Sequence, residues 1–301
     1  MTPVLGAVIV NYNAGPELRR ALESIDREAG DSWQGVVVDN GSTDGSEAAA
    51  IEFAQVRLVR NSGNVGFSRG VNQAIRECPA HRIVIMNPDC RLMPGSLSPL
   101  MAVLDADPQC AIVAPLVLDP DGSPQGNARG DPDMFTGLFG RTTMLRRFLP
   151  ALGVSRRNVV SDGAIEDGRA SLVVDWLSGA CMLARRDALL LVAGFDERYF
   201  LYWEDADLCR RLRMRGYHVR YVPGATAVHR VGHSSRRVKA VAIRAFHESA
   251  YLYYATHVAP AALPKRILAR ILLGIRCRMH LRMGVQDAGT TPDPQSSSAP
   301  Q

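Results

Sequence analysis

The densest group of residues that could carry out chemistry lies between Phe195 and Leu208. Five acids and five aromatic residues are interspersed there: Asp196, Glu197, Glu204, Asp205 and Asp207 with Phe195, Tyr199, Phe200, Tyr202 and Trp203. Aromatic walls exclude water, and a carboxyl group in such a pocket has a raised pKa that suits a general base. The alternative is that Asp205 and Asp207 only cap a helix.

Two further polar groups follow predicted strands. Asp39 begins the run Asp-Asn-Gly-Ser-Thr-Asp-Gly, and Asn87 and Asp89 flank a proline. A carboxylate and an amide oxygen at a strand end can hold a divalent cation, which can in turn hold a diphosphate. Ordinary turns with Asp and Asn caps are the alternative. His229, after a later strand, is a candidate metal ligand, although a single histidine is usually structural.

Residues 61–72 form a glycine-rich segment that could approach a ligand closely. The glycines are at 63, 66 and 70, and Arg69 can pair with phosphate. The start of a helix at this point would also favour an anion. A tight loop before a helix is the alternative interpretation.

The elements that would position these residues alternate between strand and helix. Apolar runs predict strands at 7–10, 36–38, 56–59, 83–86 and 111–114, with amphipathic helices between them. This order predicts an α/β fold with a mostly parallel sheet and ligands at the carboxyl ends of its strands. The strand and helix periods are lost over residues 119–170, which predicts variable loops with one helix near 134–149. Further strands are predicted at 172–177 and at 218–222, ended by Pro223 and Gly224, and helices at 187–193 and 205–215.

The first strand-to-helix turn excludes two common nucleotide-binding folds. It reads Asn-Tyr-Asn-Ala-Gly over 11–15, which is neither the G-x-G-x-x-G of dinucleotide-binding proteins nor a Walker loop. A nucleotidyltransferase would need a glycine-rich loop with Arg or Lys there. Any nucleotide must therefore be bound by side chains and strand ends.

The charge of the chain is unevenly distributed. The 301 residues carry a net charge of +5, with 47% hydrophobic and 22% charged residues, as in ordinary globular proteins. From Leu208 to Gln286, 16 Lys or Arg face one acid, Glu248, for a charge of +15. The other residues carry 19 basic and 29 acidic side chains, or −10. This asymmetry indicates an anionic partner.

The basic C-terminal quarter predicts an amphipathic helical extension. An apolar stripe is flanked by cations: Ile267, Leu268, Ile271, Leu272 and Ile275, with Lys265, Arg266, Arg270, Arg276 and Arg278. Such helices lie on anionic membranes. A packed helix with a solvated rim is the alternative, and no nucleic-acid-binding motif accompanies the charge. We expect a domain over 1–235, divided at 115/116, a basic extension over 236–283 and a disordered tail over 284–301.

Taken in order, the motifs resemble those of family 2 glycosyltransferases with the GT-A fold, especially the bacterial rhamnosyltransferase-like branch. The matching segments are Val-Ile-Val-Asn-Tyr-Asn at 8–13, Val-Asp-Asn-Gly-Ser-Thr-Asp at 38–44, Asn64-x-Gly-Phe with Gly70-x-Asn72, Asn87-Pro-Asp89, Ser-Gly-Ala-Cys-Met-Leu at 178–183, Gly-Phe-Asp-Glu at 194–197, Tyr202-x-Glu-Asp-x-Asp-Leu208, Gly216-Tyr217 and 229–234. The resemblance covers roughly residues 5–235.

The resemblance implies roles for individual residues. Asp205 would be the catalytic base, supported by Glu204, and Asp89 and His229 would hold Mg²⁺ or Mn²⁺. Asn87 departs from the family's usual first aspartate in that metal motif, which would weaken the site. The remaining roles are nucleotide-sugar binding by Asn11, Asp39, Asn64, Arg69, Asn72, Asn87, Asp89 and Gly179, and acceptor binding by Trp203 and Asp207.

The resemblance also implies an activity. It is the inverting transfer of a sugar, with dTDP-L-rhamnose as the expected donor, to a glycan or polyprenyl-diphosphate-linked acceptor in cell-envelope polysaccharide synthesis. A UDP-sugar donor for galactofuranosyl or N-acetylglucosaminyl transfer stays open, as does a catalytically silent nucleotide-sugar-binding protein. The sequence shows neither a signal peptide nor an apolar stretch of ~18 residues, so we expect a cytoplasmic protein peripheral to the inner face of the membrane.

Overall fold

The computed structural model describes residues 5–132, 170–230 and 239–288. The strands are β1 (Leu5–Asn11), β2 (Trp33–Asp39), β3 (Val56–Arg60), β4 (Arg82–Met86), β5 (Cys90–Leu92), β6 (Cys110–Leu118), β7 (Ala128–Arg129), β8 (Leu172–Val174), β9 (Trp176–Leu177), β10 (Cys181–Arg185) and β11 (His218–His229). The helices are α1 (Glu17–Ala29), α2 (Phe67–Glu77), α3 (Leu97–Ala106), α4 (Arg186–Leu191), α5 (Glu204–Arg213), α6 (Lys239–Tyr253) and α7 (Leu263–Ala288), with a 3₁₀ helix at Ser46–Glu52 and a π-helix at Tyr254–Val258.

A nine-stranded sheet organises the molecule. Its order is β3-β2-β1-β4-β10-β6-β11-β5, and β8 pairs with β11. Strands β1 to β4 are mutually parallel, and β10 runs antiparallel between β4 and β6. β11 is parallel to β6 and antiparallel to β5 and β8. The predicted mixed α/β fold with a mostly parallel sheet is confirmed.

Two apolar layers cover the sheet, one on each face. Val8 and Val10 of β1 belong to one layer, and Ala7 and Ile9, which alternate with them, belong to the other. Successive side chains of a strand point to opposite faces, so a continuous apolar run is what a strand buried on both faces requires. Helix α1 covers one face with side chains spaced three and four residues apart and fully buried, namely Leu18, Ala21, Leu22 and Ile25.

Several predicted elements differ in the structure. The helix expected between the strands at 36–38 and 56–59 is a 3₁₀ helix, and the strand expected at 172–177 is two strands in different sheets, β8 and β9. The backbone N–H of Asp175 donates to the carbonyl of Arg129, which turns the chain between them. Strands β5 and β10 were not predicted from the sequence.

Strand β11 is longer than the sequence indicates. It continues through Pro223 and Gly224, where we predicted its end, and reaches His229. The register with β6 shifts between Val222 and Thr226, so a bulge accommodates the proline and glycine that would interrupt a regular ladder. The extra residues pair with β5 and place His229 opposite Cys90, next to Asp89.

The predicted basic extension is helical. Helices α6 and α7 are joined by the π-helix and a short turn. Helix α7 continues to Ala288, past the expected start of the tail at Gly284, and the rest of that tail lies outside the described residues. The boundary expected at 235/236 and the helix expected near 134–149 also lie outside them. Strand β6 crosses the division expected at 115/116. Within the described ranges, we find no helix with both the length and the apolarity to span a bilayer.

Candidate functional site

The carboxyl ends of β1 and β2 hold an interlocked polar cluster. Asn11 and Asp39 are register partners, and both are buried. The Asn11 amide donates to Asp39 Oδ1 over 2.8 Å, and the hydroxyl of Ser42 donates to the same oxygen over 2.5 Å. The backbone N–H groups of Gly41 and Ser42 donate to Asp39 Oδ2 over 3.1 and 3.0 Å. Asp39 therefore shapes its own loop and presents a fixed carboxylate at the sheet edge.

The glycine-rich segment at 61–72 docks on the acidic and aromatic segment. Gly66 has φ +91°, and a Cβ there would lie 2.7 Å from the carbonyl oxygen of Phe200. The next residue, Phe67, donates its backbone N–H to that oxygen over 2.8 Å. The Asn64 side chain accepts from the Gly66 N–H and from the Asn40 amide. The geometry thus explains Gly66 and Asn64 as supports for this junction.

Asn72 and Arg69 link the same two segments. Both polar atoms of the Asn72 side chain bond the backbone of Phe195, over 2.8 and 2.9 Å. A Cβ on Gly194, whose φ is +71°, would lie 2.3 Å from Asn72 Oδ1. Arg69 forms an exposed ion pair with Glu197 at 3.5 Å. The structure gives Asn72 a structural role, so its expected contact with the nucleotide sugar gains no support from the geometry.

Asp89 and His229 come together as the sequence resemblance implies. His229 Nε2 lies 3.2 Å from Asp89 Oδ1 and 3.3 Å from the Asn87 amide nitrogen. The side chains of Asp89 and His229 are only 8% and 12% exposed. Among the described residues no group of three or more His, Cys, Asp or Glu side chains could hold a metal. This pair could supply two ligands to a bound ion.

Glu204 and Asp205 begin helix α5 after a strained turn. Tyr202 and Trp203 both have φ +69°, a left-handed conformation that costs a residue with a Cβ about 1–2 kcal/mol. Asp205 Oδ2 accepts from the Gly179 N–H over 3.0 Å, and Oδ1 accepts from the Ala206 N–H over 2.8 Å. Strain concentrated immediately before two carboxyl groups is typical of a functional site.

The environments of the two carboxyl groups differ. Glu204 is buried, and its Oε2 has no hydrogen-bond partner among the described residues. Burial, with a smaller contribution from the charge of Asp205, raises the pKa of Glu204 well above its usual range. Burial also raises the pKa of Asp205, although the two backbone N–H groups and the charge of Arg129 oppose the rise. Burial therefore favours the neutral form more strongly at Glu204 than at Asp205.

The segment Gly179–Ala180 joins the two sets of candidate residues. Gly179 donates its N–H to Asp205, and the carbonyl of Ala180 accepts from the Asn87 N–H over 3.0 Å. Consecutive residues therefore contact the carboxyl pair and the Asn87–Asp89 turn. This connection places a possible base beside a possible metal site, with Asp39 at the end of a neighbouring part of the sheet.

Trp203 and Asp207 mostly support the C-terminal helices. The Trp203 ring packs on Phe246 and Tyr253 of α6, with centroids 6.0 and 5.3 Å apart. Asp207 is 1% exposed and lies 2.6 Å from both His257 Nε2 and Arg211 Nε. A carboxylate this deeply buried has no surface left for an acceptor, so the expected acceptor contact of Asp207 gains no support from the geometry.

Sequence reasoning missed Gln125, which contacts His229. Its side-chain oxygen lies 3.0 Å from His229 Nδ1, and its amide nitrogen donates to the His229 carbonyl over 2.7 Å. Gln125 falls in the stretch from 119 onward where strand and helix periods are lost. A glutamine 104 residues before its histidine gives no spacing signal in a sequence.

Comparisons with known proteins agree on one family. Residues 7–160 match glycosyl transferase family 2. Over 301 residues the chain is 34% identical to N-acetylglucosaminyl-diphospho-decaprenol L-rhamnosyltransferase of Mycobacterium tuberculosis, with 95% of each chain covered. It is also 36% identical over 104 residues to rhamnosyltransferase WbbL of Escherichia coli K12, which covers 35% of this chain and 38% of that one.

Solved structures show the same fold. GalNAc-T7, crystallised with UDP, GalNAc and Mn²⁺, has a TM-score of 0.60 at 16% identity and covers 87% of this chain and 52% of its own. The mannosyltransferase PcManGT of Pyrobaculum calidifontis, in complex with GDP-Man and Mn²⁺, has a TM-score of 0.55 at 19% identity and covers 97% and 82%. The fold of the chain is GT-A, as predicted.

Proposed function

The chain belongs to glycosyl transferase family 2 and is a glycosyltransferase, and from that premise we propose that it is an inverting, metal-dependent L-rhamnosyltransferase. The donor in this proposal is dTDP-L-rhamnose, and the acceptor is an N-acetylglucosaminyl-diphospho-polyprenol or a related lipid-linked glycan. The 34% identity over 95% of both chains to the mycobacterial L-rhamnosyltransferase supports this choice over a UDP-sugar donor.

The observation that carries the reaction mechanism is the link through Gly179 and Ala180. Asp205 is hydrogen-bonded to Gly179, and the Asn87–Asp89 turn is hydrogen-bonded to the next residue, Ala180. In a single displacement the base and the leaving group act on opposite sides of one sugar carbon, so both must be held within one small site. One carboxylate base is sufficient, because no covalent sugar–enzyme intermediate forms.

Asp205 is the proposed base. It takes the proton of the acceptor hydroxyl as that oxygen attacks the anomeric carbon. Its raised pKa improves the match to a hydroxyl proton, while the Gly179 and Ala206 N–H groups orient the carboxylate. Burial raises the pKa of Glu204 further, which favours the protonated form there and the charged form at Asp205.

Asp89 and His229 fit a divalent cation. A carboxylate oxygen and an imidazole nitrogen 3.2 Å apart can share a cation, and both are ordinary ligands of Mn²⁺. The chemistry supplied by such a cation, when bound, is neutralisation of the negative charge that develops on the departing diphosphate. Asp39 and Asn11 would hold the nucleotide at the ends of β1 and β2.

The proposal includes a membrane-bound working position at the inner face of the cell membrane. All five residues of the predicted apolar stripe are 40–54% exposed on α7, whereas Ala269 and Leu273 of the same helix are buried against the protein. The side chains of Lys265, Arg270, Arg278 and Arg282 are exposed on the same helix. Apolar and cationic side chains together match an anionic bilayer, which is also where a polyprenyl-linked acceptor resides.

A panel of nucleotide sugars tests the proposal. Calorimetry with dTDP-L-rhamnose, UDP-galactofuranose and UDP-N-acetylglucosamine, each with and without Mn²⁺, gives base, sugar and metal dependence together. We expect binding of dTDP-L-rhamnose that weakens when EDTA removes the metal. Preference for a UDP-sugar would reject the donor, and undiminished transfer in EDTA would reject the metal role. Donor binding without transfer to a lipid-linked acceptor would favour the catalytically silent alternative.

A further inference from the structure

The amide orientation of Gln125 is determined by its surroundings. Its nitrogen faces the carbonyl oxygen of His229 at 2.7 Å and Asp119 Oδ1 at 2.8 Å. Both are acceptors, so a flipped amide would set its oxygen against a carbonyl and a carboxylate. The Gln125 oxygen must therefore be the atom that lies 3.0 Å from His229 Nδ1.

This orientation determines which nitrogen of His229 carries the proton. An amide oxygen only accepts hydrogen bonds, so His229 Nδ1 must donate. In the neutral imidazole, Nε2 then carries the lone pair. That atom points to Asp89 Oδ1 at 3.2 Å and to the Asn87 amide, which donates towards it over 3.3 Å.

The Nε2 lone pair and a carboxylate oxygen at this distance repel each other unless a proton or a metal cation lies between them. We propose that Gln125 is a positioning residue for the metal site, holding His229 in the tautomer whose Nε2 binds the cation. This inference rests on the proposed metal role of Asp89 and His229. A glutamine that bonds both the Nδ1 and the carbonyl of the histidine fixes the ring plane as well as the proton.

The experiment measures Mn²⁺ binding rather than turnover. Calorimetry on the full chain with saturating dTDP gives the Mn²⁺ affinity of the wild type, Gln125→Leu, His229→Ala and the double variant. The matched control is Ser123→Ala, which removes the hydroxyl hydrogen bonds from Ser123 to Asp121 and Asp119 in the same turn and leaves Gln125 in place. Melting temperatures without metal report any general loss of structure.

We expect Gln125→Leu to weaken Mn²⁺ binding by about 10-fold or more, the range found for residues that orient metal ligands. Ser123→Ala should bind Mn²⁺ as the wild type does. In the His229→Ala background, Gln125→Leu should have no further effect, because it acts through the imidazole. If Gln125 had only a structural role, Gln125→Leu would lower the melting temperature, and its effect on Mn²⁺ binding would not depend on the presence of His229.

The variants distinguish the role of Gln125 from the metal role of Asp89 and His229. If His229→Ala weakens Mn²⁺ binding and Gln125→Leu does not, Gln125 is not a positioning residue and the metal site stands. Equal losses from Gln125→Leu in the wild-type and His229→Ala backgrounds also overturn the inference. If His229→Ala leaves Mn²⁺ binding unchanged, the metal role itself fails, and the inference fails with it.

Discussion

Glu204 and Asp205 are neighbours in the chain with different chemical surroundings. Asp205 is stabilised as an anion by two backbone N–H groups, whereas Glu204 has an oxygen with no hydrogen-bond partner among the described residues. A buried carboxyl group without partners favours its neutral form. Substitution by the corresponding amide should therefore have different effects at the two positions. At Asp205 it removes the favoured negative charge, and at Glu204 it replaces a group for which the neutral form is favoured.

At the residue scale, the two amide variants should separate the base from its neighbour. We expect Asp205→Asn to lower transfer by ~10²-fold or more with donor affinity retained, since general-base catalysis contributes about that much. Glu204→Gln should keep most of the activity. Steady-state rates and donor calorimetry on both variants check this. Comparable losses at both positions, or substantial transfer by Asp205→Asn, would contradict the assignment.

The same carboxyl group predicts a pH dependence of stability. Glu204 holds its proton in the folded chain above its usual pKa of 4.5, and releases it on unfolding. The folded state then binds more protons, so its stability falls as the pH rises from about 4.5 through the raised pKa. Glu204→Gln should remove that loss and raise the melting temperature at pH 7. The increase should be about 2–4 °C for each kcal/mol gained in the free energy of unfolding. Melting curves from pH 5 to 8 test this, and a constant difference between the proteins would refute it.

At the element scale, helix α5 serves two partners. Its first residues are the proposed catalytic pair, and Asp207, one turn later, binds His257 of the π-helix and Arg211. Arg210 extends the same contact, since it donates to the His257 carbonyl over 3.1 Å. The C-terminal helices are therefore attached to the element that positions the base.

Asp207 should accordingly behave as a structural residue. Asp207→Ala leaves His257 and Arg211 without their buried partner and should destabilise the fold by roughly 3–5 kcal/mol. Asp207→Asn should cost less, because an amide still bonds one of them. Chemical unfolding measures both, alongside the KM for the acceptor. A change in acceptor KM with unchanged stability would restore the acceptor-binding role predicted for Asp207.

Sequence reasoning was most successful where local pattern decides the structure. The apolar runs of β1, β2 and β4 and the spacing within α1 follow from burial on a sheet face. Asp89, His229 and Asp205 were candidates by residue type and position, and the resemblance supplied their specific roles. The roles of Asn72, Asp207 and Gln125 depend on partners 50 to 125 residues away in the chain. No local pattern encodes such partners. The bulge that lets β11 reach His229 contains Pro223 and Gly224, a pair that in a sequence predicts the end of a strand.

At the scale of the whole molecule, the charge and the apolar stripe of α7 act together. We expect the full chain to bind vesicles that contain anionic lipid and to be released by salt, since each surface cation contributes about 1 kcal/mol. Leu268→Ser with Ile271→Ser should weaken vesicle binding at least tenfold without changing donor affinity. Met214→Ser is the matched control, because Met214 is 73% exposed outside that helix. Equal effects of both changes, or salt-independent binding, would contradict the membrane proposal.

The packing of Trp203 on Phe246 and Tyr253 determines where the chain can be divided. A protein cut at residue 235 would lose the Phe246 and Tyr253 rings and the His257 partner of Asp207. Trp203, in the turn before the proposed catalytic pair, would then lose the rings on which it packs. We therefore expect α6 and the π-helix to be needed for catalysis. Helix α7 follows at residues 263–288 and packs on α6 through the Arg276 guanidinium over the Phe246 ring. If that packing is kept, we expect exchange of α7 between relatives to change the surface that the enzyme binds while preserving its reaction. Donor turnover by such a chimera in detergent would show whether the division is correct.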